Sequence, residues 1–284
     1  MLSKCLESLA KQTVKIKKVI VTDNFSNDGM LRSFKEKFSW VHWQEEPING
    51  GFSYGCNAGA RLTETKWVLF LNPDTEIPET CFESLIPYCD ENSDYKLISI
   101  KQVNSDGKDC FPYGVFPNTF NLLGPLRSFE RNIIRRSQSK KIMGANSVGF
   151  PDWISGAFVL IRQEDYKKLG SWDEFFWMYY EDIDLSKRAA NLGMKRVLLN
   201  NWYCIHNHGG ASRKNIDTTI LTKSEVLISS HKYIKKHFAL IAKPIAHGLV
   251  FGSSFLELSV LSLFSKVKRG MFKKLLGYWF GAKA

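Results

Sequence analysis

Paired cysteines are missing from this sequence. Its six, Cys5, Cys56, Cys81, Cys89, Cys110 and Cys204, form no C-x-x-C pair and no zinc-site or disulfide-framework spacing. That pattern points to reduced thiols in the cytosol. Also absent are a Walker loop, a G-x-G-x-x-G turn and any internal repeat. No signal peptide is recognisable, because Met1 is followed at once by a polar, amphipathic segment. Acids are missing from two stretches: residues 131–141 carry five basic residues and residues 265–284 carry six. With a net charge of +11, this imbalance suggests an anionic partner, whether nucleic acid, anionic lipid or a phosphorylated substrate. Neither basic cluster belongs to a nucleic-acid-binding motif, so no nucleic acid is expected.

What is present is a chain of 284 residues, 44% of them apolar, enough for one large domain with an appendage. Leu2, Cys5, Leu6 and Leu9 have helical spacing. Strands are expected at 16–21, 41–43, 67–71, 96–103 and 195–199, and helices at 30–38, 53–62, 79–89 and 181–191, with ordered structure returning at 153–161. Residues 104–150 read as long, partly mobile loops, and 200–212 as another loop. The alternation argues for a doubly wound α/β sheet.

The most informative stretch is Trp67-Val68-Leu69-Phe70-Leu71-Asn72-Pro73-Asp74-Thr75. Five apolar residues predict a strand buried on both faces, stopped by proline. Asp74 then lies past the carboxyl end of a strand, where open α/β sheets bind ligands. Asp23 stands likewise after another predicted strand. A turn-capping role would explain either acid alone. Glu181 and Asp182 follow an aromatic run; first-turn helix acids are ordinary, but aromatic walls also raise a carboxyl pKa toward that of a useful base. His206 is either a plain loop histidine or a metal ligand. The loop Asn49-Gly50-Gly51-Phe52 with Asn57 beyond it is a ligand-loop candidate.

Taken in order, Val21-Thr22-Asp23-Asn24, Asn49-Gly50-Gly51-Phe52, Leu71-Asn72-Pro73-Asp74, Asp152-Trp153-Ile154-Ser155-Gly156-Ala157, Tyr180-Glu181-Asp182-Ile183-Asp184 and His206 resemble family 2 glycosyltransferases of the GT-A fold, especially the rhamnosyltransferase-like branch. The resemblance covers roughly residues 2–240 and rests on the ordered set of motifs. It implies a Rossmann-like mixed sheet in a domain of residues 1–240, and an inverting, metal-dependent transferase. Asp23, Asn24, Asn49, Gly51, Phe52 and Asn57 would meet the donor nucleotide. Asp74 and His206 would ligate Mg²⁺ or Mn²⁺, with Asn72 replacing the first acid of the D-x-D signature. Asp182 would be the catalytic base with Glu181 beside it, and Trp153 and Gly156 would shape the acceptor side. The donor would be a dTDP- or UDP-sugar (rhamnose among the candidates), and the acceptor a lipid-linked intermediate or glycan of the cell surface.

Family members place a strand before the helix that matches 2–11. Its loss would leave a gap beside Trp67–Leu71, so either the natural protein begins upstream or donor binding is impaired. Residues 241–284 combine an apolar segment, 244–264, with basic and aromatic residues. They predict helices lying at an anionic membrane surface, which would make the enzyme peripheral at the inner face of the cytoplasmic membrane. The alternatives are a nucleotidyltransferase, or an impaired domain kept as a scaffold.

Overall fold

Apolar strands with period-two alternation build the centre of the protein. The computed structural model describes residues 1–26, 29–119, 121–122, 147–207 and 215–281. The basic stretch 131–141, most of the expected loop at 104–150 and the end of the loop at 200–212 lie outside these residues. Two compact units form: Met1–Phe116 with Lys141–Glu174 and Glu181–His208, and Pro117–Lys140 with Phe175–Tyr180 and Gly209–Ala284.

The first unit runs α1 (Leu2–Ala10), β1 (Ile20–Asp23), α2 (Leu31–Lys37), β2 (His42–Glu45), α3 (Phe52–Ala60), β3 (Trp67–Leu71), β4 (Thr75–Glu76), α4 (Cys81–Glu91) and β5 (Tyr95–Val103). Then follow β6 (Asp109–Cys110), β7 (Tyr113–Gly114), β8 (Val148–Gly149), β9 (Trp153–Ile154), β10 (Phe158–Arg162), α5 (Gln163–Lys168), α6 (Glu181–Asn191) and β11 (Lys195–His206). The main sheet has the order β3-β10-β5-β11-β4, with β6 beside β5 and β8 beside β11. It is mixed: β10 is antiparallel to both β3 and β5, whereas β5 and β11 are parallel.

β10 is buried along its whole length. Phe158 and Leu160 enter one cluster with Ile98, Val197 and Leu85 of α4, while Val159 and Ile161 enter another with Phe70, Leu97, Trp172 and Leu185 of α6. Alternate side chains of one strand therefore serve two cores. Each such fully buried side chain contributes about 1.5–3 kcal/mol of transfer free energy.

Two differences from the sequence expectations matter for the site. The strand expected to stop at Leu199 continues to His206. Asn200, Asn201 and Trp202 fall outside the ladder, and pairing resumes with Tyr203 opposite Lys101. The adjacent asparagines that read as a turn instead form a bulge. The other concerns β1 and β2, which pair in parallel as a separate two-stranded sheet. Among the described residues β3 is thus an edge strand, and beside it lies a cavity of about 630 Å³ lined by β1, β3 and α1 residues such as Leu6, Val21, Leu69 and Leu71.

The second unit contains α7 (Ile216–His237), α8 (Ala242–Leu261) and α9 (Lys266–Phe280). Asn215 caps α7 by accepting from Thr218 N–H at 2.8 Å. Ile228, Leu258, Met271 and Leu275 bring the three helices together. A polar chain also links them: Trp279 Nε1–H donates to His231 Nε2 at 3.1 Å, and His231 Nδ1 lies 2.9 Å from His247 Nδ1. α8 is long and apolar enough to cross a membrane, though only 22% of its most apolar window is buried.

One polar residue ties much of the first unit. Asn57 on α3 accepts from Tyr166 Oη–H (2.6 Å) and Trp172 N–H (3.1 Å), and donates to the Trp172 carbonyl (3.0 Å) and Glu174 Oε1 (2.7 Å). Both amide hydrogens and both oxygen lone pairs are engaged. Asn57→Ala would leave the Trp172 amide and Tyr166 hydroxyl only their long mutual contact of 3.4 Å and the Trp172 carbonyl without its amide donor, so it should cost about 2–3 kcal/mol. Urea unfolding should show a lower midpoint at an unchanged slope; a loss under 0.5 kcal/mol would contradict this assignment.

Candidate active site

Asn72-Pro73-Asp74-Thr75 is a β-turn. Thr75 N–H and Oγ1–H both donate to the Asn72 carbonyl, at 3.2 and 2.6 Å, and proline at the second position suits the turn. Asn72 N–H in turn donates to the Ala157 carbonyl at 3.0 Å, extending the β3–β10 ladder by one bond. β11 closes the other side, since His206 pairs with Thr75 and Asn207 N–H donates to the Asp74 carbonyl at 3.2 Å. Consequently Asp74 Oδ1 stands 3.2 Å from His206 Nε2, with the histidine side chain 2% exposed.

The partners of this pair decide what it holds. His206 Nδ1 is 2.8 Å from Gln102 Oε1. An amide oxygen only accepts, so in this orientation Nδ1 donates to it, while Nε2 either donates to the Asp74 carboxylate, as in an imidazolium pair, or presents a lone pair to a cation. With a neutral ring protonated on Nδ1, a cation between the Nε2 lone pair and the carboxylate oxygen would relieve their repulsion. Two ligands each about 2.1 Å from an octahedral ion stand about 3 Å apart, close to the separation seen. Among the described residues no cluster of three or more His, Cys, Asp or Glu forms. Phosphate and water would complete such a coordination sphere, as is usual for Mg²⁺.

The second acidic element opens α6, whose first turn carries Glu181, Asp182 and Asp184. Asp182 Oδ2 accepts from Gly156 N–H at 3.2 Å and Oδ1 from Ile183 N–H at 2.8 Å. Burial pushes Asp182 up to about 6, against these amide hydrogen bonds that lower it. Glu181 is raised well above its ordinary value, first by burial and then by the Asp182 charge; its Oε2 has no hydrogen-bond partner among the described residues. Asp184 instead pairs with Arg188 at 2.8 Å, leaving Asp182 as the acid that ionises near neutrality. Gly156 is close-packed: a Cβ there would meet the Phe52 ring at 3.2 Å. Phe52 and Phe70 each meet Trp172 edge-on at 5.4 Å, an aromatic wall that keeps water away.

A third group lies at the end of β1. Asp23 is its last residue, and its Oδ2 accepts from Ser26 N–H at 3.3 Å. Asn24 organises the glycine loop: Nδ2 donates to the Gly51 carbonyl at 2.8 Å and Oδ1 accepts from Gly50 N–H at 3.2 Å, while Asn49 Oδ1 accepts from Gly51 N–H at 3.2 Å. Gly51 begins α3 with φ of 89°, a conformation costly for other residues. Trp153 on β9 donates from Nε1 to the Val115 carbonyl at 2.9 Å.

The structure thus brings together Asp74 with His206, Gly156 with Asp182, and Asn24 with Asn49 and Gly51. It places Asn57 as a saturated internal tie. Sequence reasoning missed Gln102; its only signal was one amide within an apolar strand. The six cysteines are free, and burial raises all their thiols, Cys5 to about 11 and Cys81, Cys89 and Cys204 to about 12. None is an activated nucleophile.

Comparison with known proteins gives a consistent picture. The family model Glycosyl transferase family 2 matches residues 1–169. The chain is 26% identical over 200 residues to Rhamnosyltransferase WbbL of Escherichia coli (strain K12), covering 66% of this chain and 72% of that protein. It is also 26% identical to Low-salt glycan biosynthesis hexosyltransferase Agl10 of Haloferax volcanii, covering 68% of this chain and 61% of the relative. An N-acetylglucosaminyl-diphospho-decaprenol L-rhamnosyltransferase of Mycobacterium tuberculosis (strain H37Rv) is 23% identical, covering 72% and 71%. Two solved structures share the fold at low identity. GalNAc-T7 with UDP, GalNAc and Mn²⁺ has a TM-score of 0.57 at 14% identity, and TarS of S. aureus 0.53 at 17%; they cover 92% and 94% of this chain. The chain spans about half the length of these two structures, 55% and 44%. With the mixed sheet and its acidic edge, the chain belongs to glycosyl transferase family 2 and is a glycosyltransferase of the GT-A fold.

Proposed function

We propose that this chain is an inverting transferase that moves a hexose, with rhamnose the leading candidate, from a nucleoside-diphosphate sugar to a hydroxyl of a lipid-linked or glycan acceptor. The carrying observation is the connection of two acidic sites across one sheet edge. Asp74 sits two residues from Asn72, whose amide binds Ala157, and Ala157 adjoins Gly156, whose amide binds Asp182. A cation site and a base are therefore positioned by the same pair of strand ends.

Asp74 and His206 would hold a divalent cation, Mg²⁺ or Mn²⁺, which when bound offsets the charge growing on the leaving diphosphate. A relative in fold was solved with UDP and Mn²⁺, which supports this choice. Asp23 and the loop held by Asn24 and Asn49 would receive the nucleotide, UDP or dTDP. Amides at Gly51 and Phe52 begin α3, and helix N-termini favour phosphate. Asn57 would act by fixing Trp172. Asp182 takes the acceptor hydroxyl proton while that oxygen forms its bond to the anomeric carbon. The bond from that carbon to the diphosphate oxygen breaks, and its electron pair leaves with the nucleoside diphosphate. One displacement inverts the carbon. Glu181, held protonated beside Asp182, keeps a second negative charge out of the acceptor side, which Trp153 and Gly156 shape.

The domain of residues 1–240 would carry this chemistry and residues 241–284 would meet an anionic membrane surface, making the enzyme peripheral at the cytoplasmic face. On this segment Ile245, Leu256, Val260, Leu263 and Phe264 are exposed, Leu256 by 70% and Phe264 by 82%. Glu257, costly in lipid, is paired with Lys268. Apolar side chains beside lysines suit the headgroup boundary.

The following outcomes test this reading. Asp182→Asn should lower turnover at least about 10³-fold while donor binding persists. Because Asp182 must be ionised, wild-type kcat/KM should rise with pH through about 6 and level above it. The same raised pKa means that the ionised carboxylate costs native-state stability at higher pH, so wild-type stability should fall as pH rises through about 6. A flat pH profile between 5 and 8 would remove Asp182 as the base. Asp74→Asn should weaken nucleoside-diphosphate binding in Mn²⁺ and abolish its dependence on the metal; isothermal calorimetry with and without EDTA reads both. For the membrane surface, Leu256→Asp with Leu263→Asp should reduce co-sedimentation with anionic phospholipid vesicles by about tenfold or more. Unchanged sedimentation would detach this segment from the membrane.

A further inference from the structure

We propose that Ser229 on α7 is a positioning residue for the catalytic base: it grips the segment Phe175–Tyr180, and through that segment it fixes where α6, and Asp182 with it, begins. The inference rests on the reading of Asp182 as the base and adds a residue far from the acidic motif in the chain. Ser229 is 0% exposed, and its Oγ–H donates to the Met178 carbonyl at 2.8 Å. A buried helix serine ordinarily turns back on its own helix. Ser230 beside it does so, donating to the Leu227 carbonyl, as do Ser253 and Ser259 of α8 with Val250 and Leu256. Ser229 instead reaches a carbonyl 51 positions away. It belongs to a stripe: Ser229, Lys232, Tyr233 and Lys236 recur at i, i+3, i+4 and i+7 on one face of the helix. Lys232 Nζ donates to the Phe175 carbonyl at 2.7 Å and stands 5.2 Å from the centre of the Phe175 ring. Lys236 Nζ lies 5.8 Å over the Phe176 ring, and the Tyr233 ring packs 5.6 Å from that of Tyr180. The stripe thus holds both ends and the middle of the segment.

The end of the segment is strained. Tyr179 and Tyr180 both have φ of 66°, a region that bulky residues occupy only where their surroundings over-determine it. Two such residues in succession turn the chain sharply, and the next residue, Glu181, opens α6. The contacts of α7 supply the over-determination. The Phe175 and Met178 carbonyls are bonded ahead of the turn, and the Tyr180 ring is held within it. Relaxed to ordinary φ, the two tyrosines would send the chain elsewhere and α6 would begin in another direction. Among the described residues, Asp182 has one hydrogen bond to a distant residue, the 3.2 Å contact with Gly156 N–H; its other partner, Ile183, is the next residue. One long bond leaves a carboxylate free to swing, so the second constraint comes along the chain. Ser229 is the buried hydroxyl that secures it. A displacement of about 1 Å at a reacting group costs about 10²-fold in rate.

The test is a titration of the Asp182 carboxyl in the full chain without metal, read from ¹³C-aspartate spectra and assigned with Asp182→Asn. Thermal unfolding and turnover of dTDP-rhamnose in Mn²⁺ are measured beside it. Wild type should titrate near about 6, because the carboxyl is buried. Ser229→Ala keeps a good helix former in α7 but leaves the Met178 carbonyl without its donor. The carboxyl should then gain solvent and its midpoint fall to about 5 or below. In the same variant kcat should drop about 10–100-fold, with KM for the donor unchanged. Ser229→Thr keeps the hydroxyl and should restore both. A wild-type midpoint in Ser229→Ala, or a threonine variant as defective as the alanine one, would overturn the proposal. Tyr179→Gly removes strain without touching α7. It should unfold near the wild-type temperature yet show the same falls in midpoint and kcat, and a wild-type midpoint there would mean that the link transmits nothing. Should Ser229→Ala not fold, Tyr179→Gly decides; should wild type not consume dTDP-rhamnose, the titrations decide alone. Asp182→Asn separates the two levels. If it turns over like wild type, the base assignment itself fails. If it is inactive while Ser229→Ala and Tyr179→Gly match wild type, only the role of Ser229 fails.

Discussion

The antiparallel register of β3 and β10 is the constraint on which the site depends. Leu71 faces Phe158, and the Asn72 amide adds one more bond, to Ala157. Because the strands run in opposite directions, the carboxyl end of one meets the amino end of the other. The turn bearing Asp74 and the Gly156 amide that holds Asp182 are thereby brought to the same edge. A slip of one residue would turn every side chain of β10 to the wrong core. Phe158, Leu160, Val159 and Ile161, shared between two apolar clusters, prevent that slip. The packing that stabilises the sheet also fixes the turn of Asp74 and the partner amide of Asp182.

The three acids at the start of α6 illustrate how environment assigns roles to like residues. Asp184 is neutralised by Arg188, whose guanidinium also donates to the Ser171 carbonyl at 2.8 Å. Asp182 receives two amide hydrogen bonds that moderate the cost of its burial. Glu181 is buried and has a negative neighbour, so the neutral form wins. Two adjacent carboxyls cannot both ionise cheaply behind an aromatic wall. The side chain with the amide partners is the one that carries the charge.

Sequence patterns revealed the parts whose causes are local. The run Trp67–Leu71 followed by Asn-Pro is a strand with a turn after it as expected, but it is not buried on both faces: Trp67, Leu69 and Leu71 are half-buried because β3 is at the sheet edge among the described residues. Glu181–Asn191 showed helical periodicity with Gly193 as its stop, and the structure ends that helix at Asn191. What stayed hidden depends on distant partners. Asn200-Asn201 has the local chemistry of a turn, and only pairing of Tyr203–Ile205 with Lys101–Val103 makes it a bulge inside a strand. Asn57 sits in a glycine-rich segment that looks like a ligand loop, yet its four hydrogen bonds run to residues more than a hundred positions away. Gln102 means nothing until β11 lays His206 beside it. The cavity next to β3 has another cause, since β1 and β2 pair with each other apart from the main sheet.

The bulge in β11 explains why Asp74 and His206 are held so closely. Without the three extruded residues, the second half of β11 would keep the register of the first, and its end would meet β5 at other positions. With them, Cys204 lies opposite Gln102, the His206 ring reaches the Gln102 side chain, and His206 pairs with Thr75. Asp74 is then anchored twice. On its amino side it follows a strand locked to β10, and on its carboxyl side it leads into β4, which is paired with β11. A carboxylate on a free loop would lose conformational entropy each time it bound an ion. One fixed between two ladders has lost that entropy on folding, so its ligand geometry needs little rearrangement when charge develops on a leaving group. The irregular residues of β11 are therefore as much a part of the site as the acid they bring into place.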